Sequence, residues 1–271
     1  MQRISDHMLR IFRQLGYRTT VGDHRFWVRG YISNDVDVGG PDEPDVFRVI
    51  ERLLTRPGVF IDVGANLGQT LGKVLKVDCS RDYLGFEPQI AACHLVNRFI
   101  RDNNLRNARV LPVGLSSGNH IKKFYSLGDA DCMASLARTE RHMDETVIQT
   151  REGDEVLDEL GISQISAIKI DVEGTELDVL LGLQKTLLSH RPPVIFEVLP
   201  NFEGPDCRPV DKALADHRNE QADKLCAFWN ELEFQIYQID GSGEEIAVDR
   251  FELDNSAVFI GTNFVAKPQN S

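Results

Sequence analysis

From residue 58 onward, short apolar runs alternate with longer stretches in which apolar residues recur every three or four positions. Residues 59–63 (Val-Phe-Ile-Asp-Val) read as a buried strand that ends in a glycine turn. Residues 67–77 read as a helix, 83–86 as a second strand, 90–101 as a second helix and 109–113 as a third strand. Further on, 167–170 is a fourth strand, 176–188 a helix and 193–197 a fifth strand. The last third adds a helix over about 219–232, a strand over 234–239 and a final strand near 258–261. Apolar strands without alternation are buried on both faces, and their regular exchange with helices predicts a parallel sheet covered on both sides. The expected fold is therefore α/β: a Rossmann-like sheet of about seven mostly parallel strands with helices on both faces.

The chain before this rhythm differs. Ile4, Met8, Ile11, Phe12 and Leu15 fall at helical spacing, residues 21–38 are strand-like, 39–44 form a turn, and 45–54 read as a helix. This predicts an N-terminal helical and β extension over 1–57, ahead of a main domain over 58–271. The longest irregular stretches are 126–146 and 200–218; loops of that length are often functional.

A net charge of −12 with no basic face leaves no general grip on nucleic acid or anionic lipid, and a small neutral molecule suits the chain better. The five cysteines contain no CxxC pair, which argues against a zinc site and a disulfide framework. No leader-like core opens the sequence, and no apolar run of about 18 residues follows, so membrane insertion is not expected and the expected location is the cytoplasm.

The first strand-to-helix turn reads Asp62-Val63-Gly64-Ala65-Asn66-Leu67-Gly68-Gln69, and Glu87 stands at the end of the next strand. A glycine there lets the backbone approach a ligand, and an acid about twenty positions on is where a ribose diol is held. A dinucleotide site needs a middle glycine for the pyrophosphate, but Asn66 occupies that position, and no phosphate-cradling G-x-x-x-x-G-K-[ST] run exists. The pattern fits an adenosine ligand without phosphates. S-adenosylmethionine is the candidate, with Asp62 facing its ammonium group and S-adenosylhomocysteine as the product. A nicotinamide-dependent oxidoreductase on a similar sheet is the disfavoured alternative.

The run from Phe60 to Gly68 resembles the opening motif of the FkbM family of methyltransferases, as does Phe86-Glu87-Pro88. The most distinctive match is Ile168-Lys169-Ile170-Asp171-Val172-Glu173-Gly174-Thr175-Glu176-Leu177, joined by Gly182, the strand at 193–197 and the ending at 263–268. The resemblance implies methyl transfer from S-adenosylmethionine, usually to a hydroxyl of a sugar or a secondary metabolite, as in natural-product biosynthesis. It also implies that Asp62, Gly64, Ala65, Asn66, Gly68, Gln69, Glu87, Pro88 and Asp171 surround the cofactor. Gly114 replaces the family's usual alanine, and the resemblance does not reach the first fifty residues.

Transfer to a hydroxyl is helped by a base near the acceptor oxygen. Asp171 and Glu173 follow the fourth strand and Glu197 ends the fifth on the same edge, so these three are the catalytic candidates. The competing reading has these acids cap the next helix, or hold Lys169, whose buried charge needs a partner. Together they would also suit a Mg²⁺ ion, though no metal is favoured. Ser135 is assigned to the adenine side, and the histidines are read as surface residues. The expected partner is a small-molecule acceptor, glycosylated or not, with a second copy of the chain in a homodimer as an option. N-methylation and a non-catalytic cofactor-binding scaffold remain open.

Overall fold

A computed structural model describes residues 16–28, 43–126, 144–203, 207–254 and 262–269. The expected leading helix, Ser135, His142 and the strand expected near 258–261 lie outside the described residues.

The chain opens with a hairpin, β1 (Tyr17–Val21) and β2 (His24–Val28), followed by α1 (Pro44–Leu53). Then come β3 (Val59–Val63), α2 (Gln69–Val77), β4 (Tyr83–Phe86), α3 (Ile90–Asp102) and β5 (Ala108–Leu111). A second group holds β6 (Gly114–Ser116), β7 (His120–Ser126), β8 (Asp144–Glu152), α4 (Gly153–Glu159) and β9 (Ile165–Ile170). After it follow α5 (Glu176–Gly182), α6 (Gln184–His190), β10 (Val194–Glu197) and the short pair β11 (Phe202–Glu203) and β12 (Arg208–Pro209). The described elements end with α7 (Lys212–Glu231), β13 (Phe234–Ile239), β14 (Glu245–Val248) and β15 (Asn263–Pro268).

Eight strands form the main sheet in the order β14-β13-β15-β10-β9-β3-β4-β5. Five neighbours, β10, β9, β3, β4 and β5, run parallel, while β15 is antiparallel to both β10 and β13. The expected sheet of about seven mostly parallel strands is therefore present, with β14 as an added edge. The chain goes out from β3 through β4 to β5 and then returns to β9 on the other side of β3. That reversal places the topological switch, and hence the ligand crevice, at the carboxyl ends of β3 and β9.

All five residues of β3 and all six of β9 are buried. Alternation sorts them between two cores. Phe60 and Tyr83 join the cluster made with α1, α2, α3 and the hairpin, including Val49, Leu71, Val96 and Phe26. Ile61, Val63, Leu84, Ile168 and Ile170 face the other cluster, with Leu180, Leu187, Phe196 and Trp229. Burying one large side chain contributes roughly 1.5–3 kcal/mol, so these two layers hold the switch point rigid.

Four sequence expectations change. The helix expected over 176–188 is two helices, broken at the fully buried Leu183. The carboxylate of Asp154 accepts the N–H groups of Lys185 (2.8 Å) and Thr186 (2.9 Å), which starts α6 afresh. The stretch 200–218 is less irregular than expected, since it holds β11 and β12 and α7 begins at Lys212, where Asp211 accepts the Leu214 N–H at 2.9 Å. The segment 263–268, marked in the sequence only by its family match, is a strand, because Phe264, Val265 and Ala266 fill the core between β10 and β13. Finally, β6, β7 and β8 form a separate three-stranded sheet that the sequence pattern did not announce.

Candidate functional site

At the end of β3 the chain turns through Gly64 (φ 89), Asn66 (φ 44) and Gly68 (φ 86). A side chain at Gly64 is impossible without rearrangement, because its Cβ would lie 1.9 Å from the Asp171 carbonyl oxygen. The glycine thus lets β3 and β9 close together where the crevice begins. Asn66 donates its N–H to Glu87 Oε2 at 2.8 Å, and Gln89 donates to Oε1 at 2.7 Å. These two bonds hold the Glu87 carboxylate at the tip of β4. It is almost wholly buried, and burial raises its pKa to about 7 despite both N–H donors.

One cleft, open to solvent, runs over this edge. Gly64, Asn66, Glu87, Pro88 and Gln89 line one part of it; Asp171, Val172, Glu173 and Thr175 line another. Gly114, Leu115, Phe124, Ile148 and Thr150, from the three-stranded sheet, provide an apolar wall that sequence reasoning missed. That wall is anchored by Asp178 on α5, which accepts from Ser116 Oγ (2.6 Å), Ser117 Oγ (2.5 Å) and Lys122 Nζ (2.8 Å). Burial opposes its ionisation, yet these donors hold its pKa near about 2. The missed signal was the alternation in β7 and β8, masked because Ile121 on β7 and Val147 on β8 are apolar yet exposed.

The remaining predicted residues sit around the cleft. Ala65 turns its methyl group into the core. Gly68 and Gln69 open α2 behind the turn. Asp62 is fully buried beneath the turn; its Oδ2 accepts the Tyr83 hydroxyl, while its Oδ1 has no hydrogen-bond partner. Burial raises the Asp62 pKa to about 6, opposed by the Lys169 ammonium. Asn66 Oδ1 is likewise buried without a partner. Asn66 lines the cleft and Asp62 lies beneath its turn, and unpartnered acceptors at such a place suit a ligand that brings donors. An ammonium and ribose hydroxyls fit them, so these residues suit the amino-acid and ribose parts of S-adenosylmethionine.

On the acceptor side, Asp171, Glu173 and Glu197 each present an oxygen within 4.8 Å of the others. Burial raises the Glu197 pKa well above the ordinary carboxylate value, and the charges of Asp171, Glu173 and Glu176 add to it. Lys169 donates to Asp171 Oδ2 at 2.7 Å. Although burial works against its charge, the carboxylates of Asp171, Glu43 and Asp62 push its pKa up. Asp171 therefore does hold Lys169, and it also lines the cleft. Glu176 is committed to the loop, accepting the N–H groups of Gly174 (3.1 Å) and Val172 (3.3 Å), and burial raises its pKa to about 7. The exposed His120 is on β7, as expected of a surface histidine.

A glycine turn after the central strand, a buried carboxylate after the next and this strand order define a Rossmann-like methyltransferase architecture. The family described as "Methyltransferase FkbM domain" matches residues 62–234, and the chain belongs to that family. It is 29% identical over 164 residues to the 2-O-methyltransferase NoeI of Sinorhizobium fredii, covering 54% of this chain and 66% of that protein. It is 28% identical over 176 residues to the hexuronic acid methyltransferase AglP of Haloferax volcanii, covering 64% of this chain and 68% of that protein. The chain thus spans about two thirds of the length of these curated relatives. A solved FkbM methyltransferase from Methylobacillus flagellatus KT aligns with a TM-score of 0.47 at 15% identity, over 77% of this chain and 43% of that one. Among the described residues, no helix is long and apolar enough to cross a membrane.

Proposed function

We propose that the protein transfers a methyl group from S-adenosylmethionine to a hydroxyl of a sugar or a small glycosylated metabolite. The observation that carries this reading is a single cleft bounded by Glu87 and Asn66 on one side and by Asp171 and Glu173 on the other. The relatives NoeI and AglP, by name a 2-O-methyltransferase and a hexuronic acid methyltransferase, support a sugar acceptor.

The cofactor supplies an electrophilic methyl carbon, and this chain's residues position the two reactants. Glu87, fixed by two backbone N–H groups, takes the ribose hydroxyls. Asp62 Oδ1 receives the ammonium. Lys169 fixes one oxygen of Asp171, and the other accepts the proton of the attacking hydroxyl. Glu173 and Glu197 hold neighbouring hydroxyls of the acceptor. We read this trio as hydrogen-bonding groups for the acceptor in preference to a Mg²⁺ site, and the metal dependence of the rate decides between the two.

Calorimetric titration with S-adenosylhomocysteine, followed by incubation with labelled S-adenosylmethionine and a panel of glycosides, tests this reading. Binding together with label in a glycoside is expected, and EDTA leaves the rate unchanged. An absence of S-adenosylhomocysteine binding overturns the cofactor assignment, and a rate abolished by EDTA and restored by Mg²⁺ overturns the metal-free one.

A further inference from the structure

We infer that Glu43, ahead of the family-matched region, belongs to the cofactor site: it supplies the excess negative charge of a buried ion cluster beneath the cofactor's ammonium. This rests on the proposed binding of S-adenosylmethionine in the cleft.

The first sign is that Glu43 suits its local position badly. It is the N-cap of α1, where short polar residues or glycine in an extended conformation are favoured. Its backbone is left-handed instead (φ 53, ψ 61), and its side chain makes no capping bond. A non-glycine residue held there persists when its surroundings require it, often at a functional site. The side chain reaches away from the helix, and Oε2 accepts from Lys73 Nζ on α2 at 3.0 Å. Its side chain stays 35% exposed, so water screens part of its charge. Partial burial opposes its ionisation, yet the Lys169 and Lys73 ammonium groups hold its pKa below the ordinary value, and Asn263 on β15 adds a hydrogen bond.

Charge balance within the cluster is the second sign. Lys73 and Lys169 are each 4% exposed, so both ammonium groups need partners. Against these two cations stand three carboxylates: Glu43 on Lys73, Asp171 on Lys169 at 2.7 Å, and Asp62. One negative charge is left over, and it coincides with a buried oxygen, Asp62 Oδ1, that no protein group satisfies. A buried, unpaired anionic acceptor calls for a cation bearing N–H donors. The amino-acid end of S-adenosylmethionine has that chemistry, and its sulfonium adds a second positive centre nearby. Without Glu43 the cluster is neutral, and the ammonium loses the net attraction that holds it.

The test is calorimetric titration of S-adenosylhomocysteine into the full-length wild type and two variants of opposite charge effect. Glu43→Gln is expected to weaken binding about tenfold, as a unit charge one side chain away does at intermediate dielectric. Lys73→Met makes the cluster more negative and is expected to bind at least as tightly as the wild type. Glu43→Gly, which suits φ 53, guards against a folding effect and should lose the same tenfold. Unchanged affinity in Glu43→Gln overturns the inference. So does equal weakening in Glu43→Gln and Lys73→Met, which would make the pair merely structural. A wild type that binds no S-adenosylhomocysteine overturns the cofactor assignment itself, and the role of Glu43 with it.

Discussion

Replacing Gly64 with alanine tests the central geometry of the site. The added methyl would sit 1.9 Å from the Asp171 carbonyl oxygen and 2.9 Å from its carbon, where real Cβ atoms stay at least 3.0 Å away. The end of β9 must therefore retreat by about 1.1 Å, a shift a packed interior resists. The Asp171 N–H that donates to the Val63 carbonyl at 2.9 Å, and the Gly64 N–H that donates to Phe86 at 2.9 Å, lie directly in its path. Left-handed backbone (φ 89) adds roughly 1–2 kcal/mol for a side-chain-bearing residue, and overpacking adds roughly 1–3 kcal/mol. The expected loss is about 2–5 kcal/mol, a large share of the ~5–15 kcal/mol of a typical domain. Gly161→Ala is the control, because Gly161 has φ 65 but open space around it; it should cost only the backbone part, roughly 1–2 kcal/mol. Urea denaturation of both variants isolates the contact, and calorimetry should show S-adenosylhomocysteine affinity falling up to about a hundredfold in Gly64→Ala alone. Equal stability losses in the two variants, with cofactor affinity intact, would refute the claim that Gly64 lets β3 and β9 close on the cofactor.

Three further outcomes follow from the site. Glu87 and Glu176 keep their protons to about pH 7 and Asp62 to about pH 6, all above their unfolded values of 4.5 and 3.8. A raised folded-state pKa gives stability that is complete below the unfolded value and lost as pH rises through the folded one. The melting temperature of the cofactor-free protein should thus fall between pH 5 and 7.5, with a smaller slope in Glu87→Gln; a rising melting curve over that window contradicts it. Asp171→Asn should lower kcat by about two orders of magnitude while S-adenosylhomocysteine affinity changes little, whereas equal losses would make Asp171 a cofactor support. Asp171, Glu173 and Glu197 form an acidic edge, and Lys169 beside it is committed to Asp171. Neutral glycosides should therefore outcompete their uronate counterparts at least tenfold in kcat/KM, and a preference for uronates would refute that reading of the edge.

Elements whose burial is continuous were legible from the pattern of residues. β3, β4 and β10 are short, apolar and hidden on both faces, so their runs stand out. The break at Leu183 was not legible, since Leu183 continues the helical period and only the distant Asp154 carboxylate restarts the chain. The three-stranded sheet was hidden for another reason. Its inner face (Phe124, Ile148, Thr150) and its outer face (Ile121, Val147) both carry apolar residues, so alternation does not separate them. Gly182 stands out in the sequence only as a family match, without its physical reason. A Cβ there would meet the Ser116 carbonyl oxygen at 2.0 Å, so its smallness serves the contact between α5 and that sheet.

The two halves of the candidate site differ in the same way. The ribose side is local: one turn, one strand and a bond from Asn66 to Glu87 across 21 positions, all within a single strand–helix–strand unit. Spacing within one such unit can express a grouping of this kind. The ammonium and acceptor sides are assembled across the sheet. Lys73 meets Glu43 across 30 positions, Ser116 meets Asp178 across 62, and Glu197 reaches Asp171 and Glu173 because β10 lies beside β9. Strand order alone brings those groups together, and no spacing rule encodes it. Glu43 is the extreme case: its residue type is wrong for a helix cap, and its left-handed backbone is wrong for glutamate. A sequence reader sees an acid in a turn, whereas the fold sets it on the buried Lys73, within reach of the charge of Lys169. Variation in how tightly the cofactor is held should therefore arise partly from the segment ahead of residue 58, outside the motifs that identify the family.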